Sequence, residues 1–284
     1  MSNCVLLDTV DYPKQLKSLR NPPKNLYYKG FWNNDLFNEC IAVVGSREVT
    51  AYGKVLLNVI FKDLVGTNVT IVSGFMRGID TEAHKLALEY NLKTIAVLPG
   101  GIDYIVPSEN FELYNKIIES ESLVLSEHPG NIAPRKWSFP KRNRIVAGLS
   151  LGVLVVEARK NSGSLITAKY CKNLSRILMT IPGDVFNVSY SGNNFLLKSG
   201  ALPITTGKDM LALLNIKVSE THKNLINNFS KDQKLILNAL KDNPMHFDTL
   251  LEATNLSPSV LSIETTSLCV AGVVFESSGV FYAS

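Results

Sequence analysis

The sequence predicts an α/β protein in which a doubly wound parallel sheet is followed by a small winged-helix domain. Six short apolar runs rich in Val, Ile and Leu recur along the first three quarters of the chain, and each is too short for a helix. Segments with helical spacing of apolar residues separate these runs. Because fully apolar strands that alternate with helices form a parallel sheet covered on both faces, the pattern indicates a Rossmann-like architecture.

The predicted strands and helices alternate along the chain. The strands are predicted at Cys40–Val44, Val69–Val72, Thr94–Leu98, Leu123–Leu125, Val153–Val156 and Ile177–Ile181. The helices are predicted at Tyr52–Leu64, Asp80–Tyr90, Glu109–Ile118 and Leu165–Leu174. Residues 1–37 are rich in proline and aromatic side chains, and we interpret them as an N-terminal arm packed on a sheet domain that spans residues 38–217.

The last quarter of the chain has a different pattern. Three helices are predicted at Lys231–Lys241, His246–Ala253 and Ser257–Ser267, and Ser257–Pro258 supplies a cap and first turn for the third. Two short strands between Gly272 and Tyr282 then flank a Ser-Ser-Gly turn. Three helices closed by a hairpin predict a winged-helix-like domain at residues 231–284, joined to the sheet domain by a polar linker at residues 218–230.

Composition excludes several classes of protein. A chain of 284 residues with 45% apolar residues can bury a sizeable core, which argues against a disordered protein. No stretch approaches the roughly 18 consecutive apolar residues of a membrane span, and the first 20 residues show no secretory signal, so we expect a cytoplasmic protein without a membrane partner. C-x-x-C spacing is absent, which predicts reduced thiols and no zinc site at Cys4, Cys40, Cys171 and Cys269.

Glycine, serine and arginine follow successive predicted strands, at the point where each strand ends. In open parallel sheets ligands bind at the carboxyl ends of the strands. Glycine lets backbone amides approach an anion, and hydroxyl and guanidinium groups add donors and charge, so the pattern favours a phosphate-binding rim. For any one loop, tight turns and helix caps remain an alternative. The candidate residues are Gly45, Ser46, Arg47, Ser73, Gly74, Arg77, Gly78, Ser162, Gly163, Ser164 and Thr167.

A basic segment without acidic residues runs from Arg135 to Arg144, and Trp137 and Phe139 lie within it. Basic groups follow a phosphate chain, and flat rings stack on unpaired bases. The net charge of +4 is also uneven, because residues 217–284 carry five Lys against seven acidic residues. The segment therefore favours nucleic-acid binding near the sheet, although a solvated face with both rings in the core remains open. Its candidate residues are Lys141, Arg142, Asn143 and Arg144.

Several enzyme signatures are missing from the sequence. There is no G-x-G-x-x-G fingerprint, no Walker A loop and no G-x-S-x-G nucleophile elbow. Asp80, Asp103 and Glu157 follow predicted strands, where they could bind a metal or ribose hydroxyls, although such residues are commonly helix caps. We find no base, nucleophile and orienting group in a shared motif. The sequence therefore predicts a protein without catalytic residues, cofactor or metal.

A series of motifs in fixed order resembles the DNA-processing protein A family, known as DprA or Smf. The resemblance covers roughly residues 10–215. It departs from the family at Phe75 and Met76, which stand where small residues are common. The motifs are Val44-Gly45-Ser46-Arg47, Ser73-Gly74-x-x-Arg77-Gly78-Ile79-Asp80, Gly101-x-Asp103 with Pro107-x-x-Asn110, Ser126-Glu127-x-Pro129-Gly130, Phe139-Pro140-x-Arg142-Asn143-Arg144-Ile145 and Glu157-Ala158-x-x-x-Ser162-Gly163-Ser164-Leu165-Ile166-Thr167-Ala168.

This resemblance implies a Rossmann-like domain that binds single-stranded DNA without hydrolysing it. It further implies a homodimer that loads RecA recombinase onto incoming DNA during natural transformation. The DNA pocket of the family maps onto the Gly45–Arg47 loop, the Lys141–Arg144 turn and the Ser162–Thr167 loop, with Arg77 as an addition.

One alternative function comes from another class. Pro99-Gly100-Gly101 is similar to a loop of phosphoribohydrolase-like enzymes, so a small-nucleotide hydrolase or carrier on a related fold is conceivable. Those enzymes continue with Gly-Thr-x-x-Glu, whereas this chain continues Ile102-Asp103-Tyr104-Ile105 and has no matching glutamate. The third tail helix contains no Lys or Arg, so we expect residues 230–284 to contact proteins or regulate rather than read duplex DNA.

Overall fold

A computed structural model describes residues 3–218, 229–241, 243–270, 273–277 and 279–283. The chain forms two compact units, Met1–Lys217 and Val218–Ser284. Residues 219–228, most of the expected linker, lie outside the described residues, as does Ser278 of the expected Ser-Ser-Gly turn. Within the described ranges, no helix is long and apolar enough to cross a membrane.

The first unit is built on one mostly parallel sheet. Its strand order is β1-β2-β6-β5-β4-β3-β7-β8-β9. Strands β3 to β9 run parallel to their neighbours, whereas β2 pairs antiparallel with β6 and β1 antiparallel with β2. The strands are β1 Asn3–Leu6, β2 Asn25–Gly30, β3 Cys40–Val44, β4 Thr70–Ser73, β5 Lys93–Val97, β6 Leu123–Ser126, β7 Gly152–Val155, β8 Ile177–Thr180 and β9 Leu202–Pro203.

Helices follow most of the parallel strands and cover the sheet. Helices α4 and α5 pack against each other, while α1 packs against α2 and α7. Every residue of the central strands β3, β4 and β7 is buried, as expected for a sheet covered on both faces. The doubly wound fold is therefore confirmed. The helices are α1 Ala51–Asp63, α2 Ile79–Glu89, α3 Phe111–Glu119, α4 Ser138–Leu149, α5 Ser164–Asn173, α6 Ser191–Lys198 and α7 Gly207–Leu214.

The first unit differs from the expectation in several places, since β9, α6 and α7 were not among the predicted elements. Residues 1–37 do more than pack on the sheet, because β1 and β2 extend it at one edge. The expected Lys141–Arg144 turn is instead the middle of helix α4. Pro140 does not interrupt this helix because it stands in the first turn, where a missing N–H breaks no helical hydrogen bond.

The second unit is a small winged-helix domain, as predicted. Its helices are α8 Lys231–Leu240, α9 Phe247–Thr254 and α10 Pro258–Val270. Strands β10 Met245–His246, β11 Val274–Ser277 and β12 Val280–Ala283 form an antiparallel sheet in the order β10-β12-β11. Ser230 and Gln233 close a reciprocal capping box at the start of α8. The apolar core consists of Ile236, Leu240, Leu250, Leu261, Leu268, Val274 and Phe281.

A buried histidine in helix α2 makes the first unit sensitive to acid. His84 is fully buried, and its Nδ1 lies 2.7 Å from the Thr94 hydroxyl. Burial, with a smaller contribution from Arg142, lowers the pKa of His84 from 6.5 to about 3. Above pH 6.5 the folded and unfolded states both hold neutral imidazole. Below pH 6.5 only the unfolded state gains the proton, so stability falls as the pH falls towards 3.

We expect the unfolding free energy to fall by ~1.4 kcal/mol for each pH unit below 6.5 through this residue. The His84→Gln variant should show a shallower dependence over that window, measured by urea unfolding between pH 7 and pH 4.5. An unchanged slope in His84→Gln would contradict the assignment.

Candidate nucleic-acid interface

A groove of about 1220 Å³ opens at the carboxyl ends of the central strands, between the loops that follow β3, β4 and β7 and the first turns of α4 and α5. We call it the main groove. Strands β3 and β7 are neighbours in the sheet, and the chain continues from β3 to β4 on one side and from β7 to β8 on the other. In open α/β sheets, ligands bind at such a point, where the strand order reverses. Of the sequence-predicted residues, the groove is lined by Gly45, Ser46, Arg47, Gly74, Arg77, Arg142, Asn143, Ser162, Gly163, Ser164 and Thr167.

Two predicted residues, Ser73 and Gly78, support the loops instead of lining the groove. Ser73 is fully buried, and its hydroxyl donates to the Val43 carbonyl at 2.6 Å. Gly78 has φ +83°, and a Cβ there would lie 2.2 Å from the Ser46 carbonyl oxygen. Only glycine fits this close approach between the β3 and β4 loops.

The first turn of α5 presents hydroxyl groups and a helix N-terminus to the groove. The hydroxyls of Ser162 and Ser164 lie 2.7 Å apart, and the Ser164 N–H donates to the Ser162 Oγ at 3.3 Å. A Cβ at Gly163 would meet nothing within 4 Å, so the backbone is open on that side. The positive end of the helix dipole therefore faces the groove and favours an anionic ligand there.

The exposed cations of the groove differ in their partners. Arg77 is paired with Glu109, and Arg159 is paired with Glu48 at 3.2 Å. The Arg47 guanidinium lies 6.0 Å from the centre of the Phe139 ring. Arg47 makes no ion pair with any residue that the structure describes. Arg47 is therefore available to a phosphate, as is Lys136, which lines the groove, is exposed and makes no ion pair among the described residues.

Arg142 lies at the floor of the groove and is only 5% exposed. Its Nη1 donates to the carbonyls of Gly74 and Val97, and its Nε donates to the Asn143 side chain at 3.1 Å. Burial lowers the pKa of Arg142 to about 10, although the nearby Asp80 carboxylate opposes this. Burial likewise raises the pKa of Asp80. Arg142 therefore ties the ends of β4 and β5 together beneath the groove.

Lys141 and Arg144 do not enter the main groove. Both side chains lie near Glu127, which pairs with Arg144 and is 3.9 Å from the Lys141 ammonium. They line a smaller, separate pocket. The reason is helical geometry, since residues 141 and 144 share a face of α4 that lies opposite the face of Phe139, Arg142 and Asn143.

The acidic residues considered as metal or ribose ligands have structural partners instead. Glu157 is fully buried and accepts hydrogen bonds from the Thr50 and Tyr190 hydroxyls. Asp103 pairs with Lys29, and Asp80 accepts from the Met76 N–H at 3.2 Å. Among the described residues, no group of three or more His, Cys, Asp or Glu side chains is placed to hold a metal ion.

Three further residues line the groove: Lys136 and Phe139, which belong to the predicted basic segment but not to its candidate residues, and Arg159, which the sequence did not indicate. Lys136 and Phe139 line the groove from the start of α4, and Arg159 lines it from the loop after β7. The helical spacing of Phe139, Arg142, Asn143 and Val146 places these four residues on the face of α4 that lines the groove.

Comparison with known proteins shows to which family this chain belongs. The model of the family described as "DNA recombination-mediator protein A" matches residues 3–215, and that described as "DprA winged helix domain" matches residues 224–279. The chain belongs to the DNA recombination-mediator protein A family. The "DNA processing protein DprA" of Bacillus subtilis is 37% identical over 221 residues, which are 77% of this chain and 74% of the relative. The "Protein Smf" of Escherichia coli is 39% identical over 204 residues, which are 72% of this chain and 54% of the relative.

Solved structures of the DprA family share the fold. The structure of DNA processing protein A from Streptococcus pneumoniae matches with a TM-score of 0.70 and 39% identity, over 74% of each chain. The DNA processing protein A of Helicobacter pylori, whose structure is described as giving insight into its single-stranded DNA binding mode, matches with a TM-score of 0.65 and 30% identity. That match covers 75% of this chain and 95% of the other.

Proposed function

We propose that the first unit binds single-stranded DNA in the main groove and does not hydrolyse it. The observation that carries this proposal is the convergence of the exposed Arg47, the Phe139 ring and the α5 N-terminus on one rim. A guanidinium and a helix N-terminus both favour phosphate. Membership of a DNA recombination-mediator family supports the same ligand class.

The single-stranded form is favoured because an aromatic ring lines the groove and a second ring is exposed beside it. Phe139 lines the groove and Trp137, two residues before it, is 53% exposed. A ring can stack on a base only when the face of that base is free, which holds in a single strand and not inside a duplex.

The buried carboxylates support the proposal of a non-catalytic role, because they already accept hydrogen bonds from the protein itself. Glu157 holds Thr50 and Tyr190, and Asp80 lies beside Arg142 with a hydrogen bond from Met76. The Pro99–Asp103 loop is the one that suggested a nucleotide hydrolase. Its residues make structural contacts: Gly101 forms a β-bridge with His128, and Asp103 forms an ion pair with Lys29.

We further propose that the protein acts as a homodimer that loads RecA recombinase onto incoming single-stranded DNA during natural transformation. The family name, recombination mediator, supports a role of this kind. The second unit would then contribute protein contacts. Helix α10, which would be the recognition helix of a winged-helix domain, contains no Lys or Arg with which to neutralise phosphates.

We expect the full chain to bind a 20-nucleotide oligo-dT strand more tightly than a duplex of equal length. Each phosphate contact of a single strand contributes about 0.7 to the slope of log affinity against log salt. With four contacts, affinity should fall roughly 50-fold between 50 and 200 mM salt. Fluorescence anisotropy at both salt concentrations measures this. Stabilisation by nucleoside monophosphates without binding of oligo-dT would contradict the proposal.

A further inference from the structure

A second pocket, of about 380 Å³, lies on the other flank of helix α4. We call it the side pocket. Strand β2 begins at Asn25 and runs antiparallel to β6, so the start of β2 lies beside the carboxyl end of β6. The main groove also lies at the carboxyl ends of the parallel strands. The side pocket is lined by Lys24, Asn25, Glu127, His128, Lys141 and Arg144, among others.

The side pocket carries more positive than negative charge. Glu127 is its single carboxylate, and that carboxylate faces both Arg144 and Lys141. Lys24 is exposed and makes no ion pair within the described part of the chain. Three cations against one carboxylate leave an excess of positive charge, which attracts an anion.

The Arg144 guanidinium is incompletely satisfied. Arg144 is 92% buried, since 8% of it is exposed, and its Nη2 donates to Glu127. Its Nη1 has no hydrogen-bond partner in the described part of the chain. A buried donor without a partner is costly, so this guanidinium has hydrogen-bonding capacity that Glu127 does not use.

An exposed aromatic ring marks a route between the two sites. Trp137 stands at the N-terminal end of α4, is 53% exposed, and has the Lys141 ammonium 5.8 Å from its ring centre. Trp137, Lys141 and Arg144 are spaced by four and three residues, so they form one stripe along the helix. The neighbouring Lys136 lines the main groove.

We propose that the side pocket binds a backbone phosphate of the same single strand, after the strand leaves the main groove and crosses α4 at Trp137. This inference rests on the proposed function and extends it, because it assigns Lys24, Lys141 and Arg144 to a second phosphate subsite. A strand long enough to cross the helix reaches both sites, whereas a very short strand occupies the main groove alone.

The test compares oligo-dT strands of 20 and 5 nucleotides on the full chain. In the Lys24→Gln/Lys141→Gln variant, two lost phosphate contacts should lower the salt slope for the 20-nucleotide strand by about 1.4 and its affinity roughly 20-fold at 0.1 M salt. Binding of the 5-nucleotide strand should stay as in wild type. Lys116→Gln, an exposed lysine on α3 that lines neither site, is the control and should change neither strand.

Each other outcome has a defined meaning. If the double variant binds both strands like wild type while Arg47→Ala weakens both, the inference is overturned and the proposed function stands. If Arg47→Ala leaves the 5-nucleotide strand unaffected, the proposed function itself fails. If the double variant loses only the thermal stabilisation given by inorganic phosphate at constant ionic strength, the side pocket takes a free anion and the inference is likewise overturned.

Discussion

Replacing Arg47 with alanine is expected to weaken binding of single-stranded DNA roughly fivefold at 0.1 M salt, and to lower the salt slope by about 0.7. Arg47 is exposed at the rim of the main groove and makes no ion pair with any described residue. Its guanidinium can therefore bind a phosphate without first breaking an ion pair. Fluorescence anisotropy with oligo-dT at several salt concentrations gives both quantities.

Arg77 and Arg159 provide matched controls within the same groove. Each is exposed and each already pairs with a glutamate, Glu109 and Glu48 respectively. Their replacement by alanine should therefore weaken binding less than Arg47→Ala does. Arg47→Lys should recover part of the affinity, because it keeps the charge and loses the planar fork. Equal losses in all three alanine variants would show that net charge, rather than the position of Arg47, governs binding.

The central strands of the first unit were predictable because burial on both faces makes them mostly apolar. Cys40–Val44 was predicted with the bounds that the structure shows, and the other central strands shift by about one residue. Strands β1 and β2 were not predicted, nor was the two-residue strand β9 at the opposite edge. Strands β1 and β2 lie at one edge, where Asn3, Lys29 and other polar residues stay partly exposed and the continuous apolar signal is lost.

The site was predictable at the level of loops and only partly at the level of side chains. Gly45, Arg47 and Ser164 follow strands, and parallel topology alone brings strand ends together. Lys141 and Arg142 are adjacent in sequence, yet helix α4 directs one to the side pocket and the other to the main groove. The prediction of a turn at Lys141–Arg144 gave no reason to expect that these neighbouring side chains point to different sites.

Phe75 shows why a departure from the family pattern need not disturb the site. It has φ +60°, a conformation that few bulky residues adopt, and it is fully buried. Its ring packs against His84 and Tyr114, on the side of the sheet that α2 and α3 cover. The bulky side chain thus fills core space instead of the main groove, and the backbone carbonyl remains bonded to Asn110.

Replacing Arg142 with alanine is expected to lower the free energy of unfolding by about 3–5 kcal/mol, the cost of removing a buried, hydrogen-bonded charge. The carbonyls of Gly74 and Val97 lose a charged donor, and Asp80 loses the nearby positive charge. Urea unfolding measures the loss. DNA binding by this variant should fall mainly because the loops after β4 and β5 are no longer held.

The Asp80→Asn change separates the two contributions to that loss. In the Arg142→Ala background it removes a buried carboxylate that has lost its neighbouring cation, so the double variant should be more stable than Arg142→Ala alone. The restored stability must stay incomplete, since the two carbonyls still lack their donor. If Arg142→Ala instead unfolds at the wild-type urea concentration and still loses DNA affinity, Arg142 contacts the strand directly and its role as a floor residue is wrong.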